Sequence, residues 1–335
     1  MAEAAGERAL LYCAGGGIGD SLVASVVARA LHGRFRTVDA LTLPGHRPTL
    51  ERVPDVDDVL VDEGEPDAVA STVARRAYDA CVVTWATART ARVAQRARIP
   101  LRVGQARRIY SFRFTRRVVV RSERGDVTSH WSDVLLDFAR AIGCDTPDRR
   151  YRFVPTAQDE REAEEVRGHR GRFLLLNPCN AIASRRDYWP LDGWTALARE
   201  LVQRYDADVL VSGAPNDAAM TQAIARSARN DRVVSIGGAT GVGAFGALAR
   251  GALGFVGITT GSMHVAAAAG CPTVGIFPFQ TDYPDRWAPL GERTAIVRPS
   301  FPCHRGDSKE RCADYACVAH LDRTRILAAL DTVLG

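Results

Sequence analysis

Short apolar runs alternate with amphipathic segments along almost the whole chain. Residues 9–13, 173–177 and 254–258 are apolar runs of strand length, and residues 20–32 and 191–204 carry apolar side chains at helical spacing. Regular alternation of these two patterns predicts an α/β protein with parallel sheets. The further predicted strands are residues 37–41, 59–61, 80–84, 102–103, 118–120, 208–212, 233–235 and 273–277. The further predicted helices are residues 68–77, 130–142, 159–168, 216–228, 242–249, 263–269 and 324–334.

The pattern is interrupted near the middle of the chain. Residues 145–155, DTPDRRYRFVP, are polar and contain two prolines, which is typical of a connection between domains. At roughly 150 residues per domain, a chain of 335 residues predicts two domains. We place them at residues 1–150 and 151–335, and we leave open whether the last helix crosses back to the first domain.

The most specific chemical signal lies in residues 254–278, which predict a strand, a turn of small residues, a helix and a second strand. The turn contains Thr259, Thr260, Gly261 and Ser262, so hydroxyls and free N–H groups meet at the positive end of a helix. A helix start of this kind at the carboxyl edge of a parallel sheet binds phosphate. His264, near the helix start, either contacts the phosphate or packs structurally. The alternative is an ordinary turn in which the hydroxyls only cap the helix.

A glycine cluster follows the first predicted strand. Residues 15–19, GGGIG, lead into the first predicted helix like a dinucleotide fingerprint, but Asp20 stands where that pattern has a third glycine or alanine. Asp20 is either a residue that compensates the helix dipole or a carboxylate at the mouth of a cleft that accepts a proton. The residues alone leave both interpretations open.

Together, the two segments resemble glycosyltransferase family nine, the heptosyltransferases. Members begin with a strand and a glycine-rich turn that ends in Gly-Asp, which is matched here by Gly19 and Asp20. Their second signature, Asp-[Ser/Thr]-Gly-x-x-His-x-Ala-Ala-Ala-x-Gly-x-Pro, is matched at the same spacing by residues 259–272, TTGSMHVAAAAGCP. Weaker matches are residues 101–104, 188–190 and 286–291. The resemblance implies the GT-B fold, in which two Rossmann-like βα domains face each other across a cleft.

The resemblance also implies a division of labour between the domains. The first domain is expected to bind the acceptor, and the second to bind a nucleotide-sugar donor of the ADP-heptose type. Asp20 is then expected to be the catalytic base, and Gly17 and Gly19 to lie on the acceptor side. Residues 259–262 and His264 are expected to hold the donor pyrophosphate, and catalysis in this family needs no metal.

Two positions depart from the family pattern. The acidic residue that helps to orient the donor sugar is Thr259 here, and the lysine two positions before Trp-Pro is Asp187. Arg185 and Arg186 come just before it, and a guanidinium grips phosphate oxygens well enough to replace a lysine. We therefore include Ser184, Arg185 and Arg186 in the expected donor site.

The basic residues are unusual in type and distribution. Lys309 is the only lysine among 44 basic residues, and its polar surroundings exclude a Walker A or a pyridoxal-phosphate lysine. Arginines cluster between residues 102 and 121 and alternate with aromatic residues. This cluster, with Arg107 and Arg108 on the acceptor side, is suited to an anionic acceptor, a membrane surface or nucleic acid, unless it is only a solvated face. We expect no nucleic acid, because no nucleic-acid-binding signature accompanies the cluster.

The eight cysteines are dispersed, and we expect them to be reduced. Cys303, Cys312 and Cys317 lie in one polar segment, but their spacing is not that of a structural zinc site, so a metal there is only a weak alternative. The first residues lack the basic region of a signal peptide, and no segment supplies the roughly 18 apolar residues of a membrane span. We expect a cytoplasmic protein, with peripheral membrane contact left open.

These observations predict an inverting glycosyltransferase that moves a sugar from a nucleotide-diphosphate donor to an acceptor hydroxyl. The acceptor is carbohydrate-like, lipid-linked, a protein or a small molecule, and no cofactor is expected to be required. One alternative is a non-catalytic sugar-nucleotide binder, because the acidic and lysine positions are changed. The other is a dinucleotide-dependent oxidoreductase that uses the glycine turn, with Asp39 on the ribose.

Overall fold

The computed structural model describes residues 6–178, 189–279, 283–301 and 316–335. Contacts between residues divide the chain into two compact units, Met1–Arg152 and Phe153–Gly335. Each unit contains one six-stranded parallel sheet with helices packed against it. The α/β class predicted from the hydrophobic pattern is therefore confirmed.

The first unit is built around a sheet with the strand order β3-β2-β1-β4-β5-β6. Its strands are β1 (Gly6–Tyr12), β2 (Phe35–Thr42), β3 (Val59–Val61), β4 (Ala80–Val83), β5 (Leu101–Gln105) and β6 (Arg116–Val118). Its helices are α1 (Ile18–Leu31), α2 (Arg47–Leu50), α3 (Pro66–Ala74), α4 (Ala88–Arg96) and α5 (Trp131–Arg140). Leu10, Leu11 and Tyr12 of the central strand β1 are buried, as expected for a parallel sheet covered on both faces.

The second unit repeats this architecture with the strand order β12-β11-β10-β7-β8-β9. Its strands are β7 (Phe173–Asn177), β8 (Asp208–Val211), β9 (Val233–Ser235), β10 (Phe255–Ile258), β11 (Thr273–Ile276) and β12 (Thr294–Val297). Its helices are α6 (Ala157–Arg167), α7 (Leu191–Tyr205), α8 (Ala218–Ala228), α9 (Val242–Gly251), α10 (Gly261–Ala268), α11 (Pro284–Trp287), α12 (Ala316–Ala319) and α13 (Arg323–Leu334). When the strands are numbered from β7 and the sheet is read from its β9 edge, this order is 3-2-1-4-5-6, which is the order of the first unit.

Helix α10 lies very close to its sheet. Met263 of α10 is fully buried, and a Cβ added to Gly275 of β11 would come within 2.5 Å of its sulfur. The alanines of α10 are buried as well, because a helix face of small side chains allows close approach. This packing fixes the first turn of α10 at the carboxyl end of β10.

Helix α13 packs against β11, β12 and α7 of the second unit. Ile326, Leu330 and Val333 are buried in its interface. Arg204 of α7 forms an ion pair with Asp331 of α13, so a polar contact closes the edge of this apolar interface.

The hydrophobic pattern predicts neither α4 nor β12. Helix α4 contains three arginines and buries only small side chains and Val93, so its apolar stripe is narrow. The Thr87 hydroxyl accepts a hydrogen bond from the Thr90 N–H at 3.1 Å and caps the start of this mostly polar helix. Strand β12 is partly exposed along most of its length, so its sequence does not read as a buried run.

Among the helices of the described residues, none combines the length and the apolar character that a membrane crossing requires.

Candidate functional site

The two segments singled out in the sequence follow strands at special positions in their sheets. Strand order reverses between β1 and β4 in the first unit, and between β10 and β7 in the second. Open parallel sheets bind ligands at such reversal points, outside the carboxyl ends of the strands. The glycine turn follows β1, and residues 259–262 follow β10, so each unit presents its candidate segment where the fold favours a ligand.

The glycine turn shapes the surroundings of Asp20. Gly16 has φ +69°, and an added Cβ would collide with the Asp20 carboxylate, so only glycine fits this position. Gly17 is the N-cap of α1, and its N–H donates to Asp20 Oδ2 at 2.7 Å. Within the described parts of the chain, the other carboxylate oxygen, Oδ1, has no hydrogen-bond partner. Asp20 therefore holds the helix start with one oxygen and leaves the second available.

Partial burial raises the pKa of the Asp20 carboxyl above its ordinary value, while the Gly17 N–H and the nearby His46 act in the opposite direction. His46 is buried, with Nδ1 2.8 Å from Ser21 Oγ, and burial lowers the pKa of its imidazole. A carboxylate with a raised pKa is a better proton acceptor than a fully solvated one. The sequence interpretation did not include His46, although it follows the carboxyl end of β2.

The acceptor-side glycines and arginines occupy different environments. Gly19 lies in the first turn of α1 and is partly exposed. Arg107 is exposed and has φ +59°, whereas the Arg108 guanidinium lies 2.9 Å from Glu123 Oε1. Among the described residues, the predicted arginine cluster therefore contains a member with an ion-pair partner, Arg108, and a member without one, Arg107.

An aromatic-walled cavity lies beside the glycine turn, and the sequence interpretation did not anticipate it. Trp85, which follows β4, packs against Gly15 so closely that a Cβ there would overlap the indole. Trp85, Tyr110, Trp131 and Phe138 line the cavity together with polar side chains. Only the position of Trp85 in the sheet could have indicated this cavity, because β4 is the second strand of the reversal point and Trp85 follows the carboxyl end of β4.

In the second unit, the turn between β10 and α10 has unused donors. The Thr259 N–H donates to Ile276 O at 2.9 Å and extends the sheet, so only its hydroxyl is available. Thr260 is the N-cap of α10, but its side chain does not cap the helix; its hydroxyl lies 2.8 Å from Ser262 Oγ. Among the described residues, the N–H groups of Gly261 and Ser262 have no side-chain cap. The interpretation of this turn as ordinary capping is thus not supported for Thr260.

Asn177 ends β7, the neighbour of β10 at the reversal point. Its Nδ2 donates to Ser212 Oγ at 3.1 Å, and its side-chain oxygen is buried without a hydrogen-bond partner in the described residues. This amide was not part of the predicted site. His264 is buried in α10, in keeping with the structural alternative considered for it.

Several predicted site residues lie outside the described residues, namely Ser184, Arg185, Arg186, Cys303 and Cys312. Cys317 is described and buried. Within the described ranges there is no cluster of three or more side chains suited to a metal.

The oxidoreductase alternative conflicts with the position of Asp39. This residue lies within β2 and is fully buried, not at a strand end. The Arg8 guanidinium lies 2.7 Å from Asp39 Oδ2, and the Tyr78 hydroxyl donates to the same oxygen at 2.5 Å. Because Asp39 is fully buried inside the strand and both partners hold its Oδ2, the carboxylate is not placed to bind a ribose.

Comparison with known proteins identifies the class. The sequence pattern of glycosyltransferase family 9 (heptosyltransferase) matches residues 67–315, and the chain belongs to this family. The protein is therefore a glycosyltransferase, and the family resemblance of the sequence is confirmed.

Solved structures agree with this assignment. The E. coli ADP-heptose LPS heptosyltransferase II is similar with a TM-score of 0.79 and 18% identity, covering 97% of this chain and 98% of that chain. A family 9 glycosyltransferase of Veillonella parvula is similar with a TM-score of 0.80 and 15% identity, covering 98% of this chain and 97% of that chain. The E. coli heptosyltransferase WaaC with ADP is similar with a TM-score of 0.72 and 14% identity, covering 97% of this chain and 99% of that chain. The predicted GT-B fold class is thus confirmed. No curated protein matches the chain in sequence.

Proposed function

We propose that this protein is an inverting glycosyltransferase that transfers a sugar from a nucleotide-diphosphate donor to an acceptor hydroxyl, with Asp20 as the general base. The observation that carries the proposal is the Asp20 carboxylate at the reversal point of the first sheet. One of its oxygens is fixed by Gly17 at 2.7 Å, and the other is without a hydrogen bond in the described residues.

In the proposed step, the acceptor oxygen attacks the anomeric carbon from the face opposite the pyrophosphate. The bond from that carbon to the pyrophosphate oxygen breaks, and the nucleoside diphosphate leaves with the bonding electrons. Asp20 accepts the proton of the attacking hydroxyl, which balances the charge that develops on the acceptor oxygen.

We assign the leaving pyrophosphate to the start of α10. The N–H groups of Gly261 and Ser262 and the hydroxyls of Thr259 and Thr260 are donors of the kind that stabilise phosphate, and the helix dipole adds to them. Arg185 or Arg186 would supply the positive charge that a lysine supplies in the family pattern. With this charge from the chain itself, the proposed step needs no divalent cation.

We propose a donor of the ADP-heptose type. The support is the family together with solved relatives described as WaaC with ADP and WaaC with ADP-2-deoxy-2-fluoro heptose. Thr259, in place of the family's acidic residue, removes one negative charge near the donor sugar, so a related sugar is the natural alternative to test.

We further propose that the protein contacts membranes peripherally through an apolar tip, formed by Ile109 and Phe112. These side chains are 96% and 61% exposed, which is unusual for large apolar residues. Exposed Arg107, Arg116 and Arg117 are near them in the chain, and they have no ion-pair partner in the described residues. Apolar side chains flanked by arginines suit an anionic lipid surface.

A ligand screen followed by a turnover assay tests the proposed function. A nucleoside diphosphate at a hundred times its dissociation constant should stabilise the protein by about 2.7 kcal/mol and raise its Tm by about 4 °C. ADP-heptose plus acceptor should then release ADP. If no nucleotide stabilises the protein, the proposal is wrong. If a nucleotide stabilises the protein but no acceptor leads to release of ADP, the protein is a non-catalytic binder.

A further inference from the structure

His46 is a buried histidine beside the helix that carries the proposed base. It lies in a single helical turn, Pro44–His46, that follows the carboxyl end of β2, and the proline fixes the backbone at the start of this turn. The His46 N–H donates to Leu43 O at 3.0 Å and closes the turn. Because α1 follows the neighbouring strand β1, the turn and the start of α1 meet at the same edge of the sheet. The histidine is 8% exposed there.

The Ser21 hydroxyl holds the imidazole against α1. Ser21 is fully buried, and its Oγ lies 2.8 Å from His46 Nδ1. Within the described residues this hydroxyl has no other hydrogen-bond partner, and a buried hydroxyl proton without an acceptor is costly. We therefore assign the hydroxyl as the donor to Nδ1, so that neutral His46 carries its own proton on Nε2.

This contact places the imidazole beside the proposed base, because Asp20 immediately precedes Ser21 in α1. The Cα atoms of consecutive residues are about 3.8 Å apart. The positive charge of a protonated His46 acts to lower the pKa of the Asp20 carboxyl, against the larger effect of burial, which raises it. The Asp20 carboxylate likewise acts to raise the pKa of His46, against burial, which lowers it. Each side chain thus stabilises the charged form of the other.

Two arginines also lie on the helices that pack against the turn of His46, which are α1 and α2. They are Arg29 in α1 and Arg47 in α2, and each forms an ion pair with a carboxylate, at 2.8 and 2.6 Å. Neither arginine therefore brings a net charge to the imidazole. Asp20 is the remaining ionisable side chain of these two helices, so it and His46 titrate as a coupled pair.

The order in which the two groups take up protons decides the effect. The ordinary pKa is 6.5 for the imidazole of His46 and 3.8 for the carboxyl of Asp20, so His46 is expected to be protonated first as the pH falls. Its positive charge then opposes protonation of the neighbouring carboxylate. A carboxylate that stays ionised can still accept the proton of an acceptor hydroxyl.

We propose that His46 is a positioning residue for the reaction, because it becomes charged as the pH falls and thereby keeps Asp20 ionised. The base then works under more acidic conditions than it would alone. Ser21 contributes by holding the imidazole beside Asp20. The inference rests on the proposed function, since it takes Asp20 to be the base.

The coupling can be measured without substrates. The His46 ring protons would be followed through a pH titration by NMR, and His46→Asn would identify their signal among those of the seven histidines. Asp20→Asn removes the attractive carboxylate, so His46 should take up its proton at a pH lower than in the parent by about 0.5 or more, roughly a threefold change in proton affinity. Equal titration of His46 in the two proteins would overturn the proposal.

The pH profile of kcat/KM tests the effect on the base. His46→Asn keeps a side-chain oxygen that can accept from the Ser21 hydroxyl, but it removes the group that becomes charged. The acid midpoint of the profile should therefore move to a higher pH by about 0.5 or more. A purely structural histidine would instead lower kcat/KM at every pH and leave the midpoint in place, and that result would contradict the proposal.

His32 offers a matched control at the other end of α1. It follows the last residue of the helix, roughly 18 Å from Asp20 along the helix axis, and it is the C-cap. His32→Asn makes the same chemical change far from the base, so its acid midpoint should be that of the parent. An equal displacement of the midpoint in His32→Asn and His46→Asn would also refute the assignment to His46.

The two measurements separate this proposal from the proposed function. Circular dichroism would establish that His46→Asn is folded; if it is not, the NMR comparison of the parent with Asp20→Asn decides, with the signal assigned through isotope labelling. Full transfer by Asp20→Asn would refute the proposed base and with it the role of His46. Loss of transfer in Asp20→Asn, together with an unmoved midpoint in His46→Asn, would refute the role of His46 and keep the proposed function.

Discussion

The exchange of Asp20 for asparagine separates the two roles that its carboxylate combines. The side-chain oxygen of the introduced asparagine can still accept from the Gly17 N–H, which now donates to Asp20 Oδ2 at 2.7 Å, so the start of α1 should be preserved. Asparagine cannot accept a proton from the acceptor hydroxyl at neutral pH. We therefore expect transfer to fall roughly a hundredfold to ten-thousandfold while nucleotide binding remains.

The effect on stability should be small, because two contributions oppose each other. Burial raises the pKa of Asp20 in the folded protein, so the ionised carboxylate costs stability at every pH above its unfolded pKa, and asparagine removes that cost. Asparagine also removes an attraction to the helix dipole of about 0.3–1 kcal/mol. The free energy of unfolding at pH 7 should thus change by less than about 1 kcal/mol. For the parent, kcat/KM should decrease on acidification already above the usual aspartate pKa.

Asp159 offers a matched control in α6. It occupies the same position, the third residue of its helix, and its Oδ2 accepts from the Thr156 N–H at 2.7 Å. Asp159→Asn therefore makes the same chemical change at the same kind of cap. Product formation would be quantified by chromatography for both variants. Near-parental turnover of Asp20→Asn, or an equal loss in both variants, would refute the role of Asp20 as base.

Three further expectations concern the donor site and the membrane. Gly261→Val should abolish ADP binding in calorimetry because the valine side chain blocks close approach to the first turn of α10. The control Gly171→Val, which lies in open space before β7, should bind ADP as the parent does. Equal ADP affinity of the two variants would exclude this phosphate site. Arg185→Ala or Arg186→Ala should reduce donor kcat/KM by about tenfold to a thousandfold, and parental kinetics of both would mean that another group holds the pyrophosphate. Serine at both positions of the apolar tip should reduce cosedimentation with anionic phosphatidylglycerol vesicles, and unchanged binding would remove the tip from any membrane contact.

Local chemistry made most elements of the fold predictable. The apolar run of β7 marks that strand at its observed bounds, since a fully covered strand needs little besides apolar side chains. The bounds of β9 also agree with the prediction, although this strand is only partly buried. Strand order was not predicted, because pairing depends on contacts between residues far apart in the chain. Helix α4 escaped prediction because its sequence is mostly polar and buries only small side chains and Val93, while hydrogen bonds between Thr87 and Thr90 define its start.

The candidate site was likewise predictable from the sequence only in part. Asp20 could be singled out because a carboxylate after a glycine turn is visible in the sequence. Its double role, with one oxygen on Gly17 and one free of hydrogen bonds in the described residues, depends on the geometry of the turn. Asn177 could not be found, since the sequence does not reveal which amide oxygen will be buried without a hydrogen-bond donor.

The buried cysteines give each unit an internal reporter of its own opening. Cys13 and Cys81 are buried in the first unit, and Cys271 and Cys317 in the second. Burial raises the pKa of Cys13 and of Cys271 to about 12, so neither thiol reacts appreciably while its unit stays closed. Alkylation mapped by peptide mass spectrometry would therefore time the opening of the two units separately. Added ADP should slow the labelling of Cys271 more than that of Cys13, so the two thiols would report which unit the nucleotide stabilises against opening.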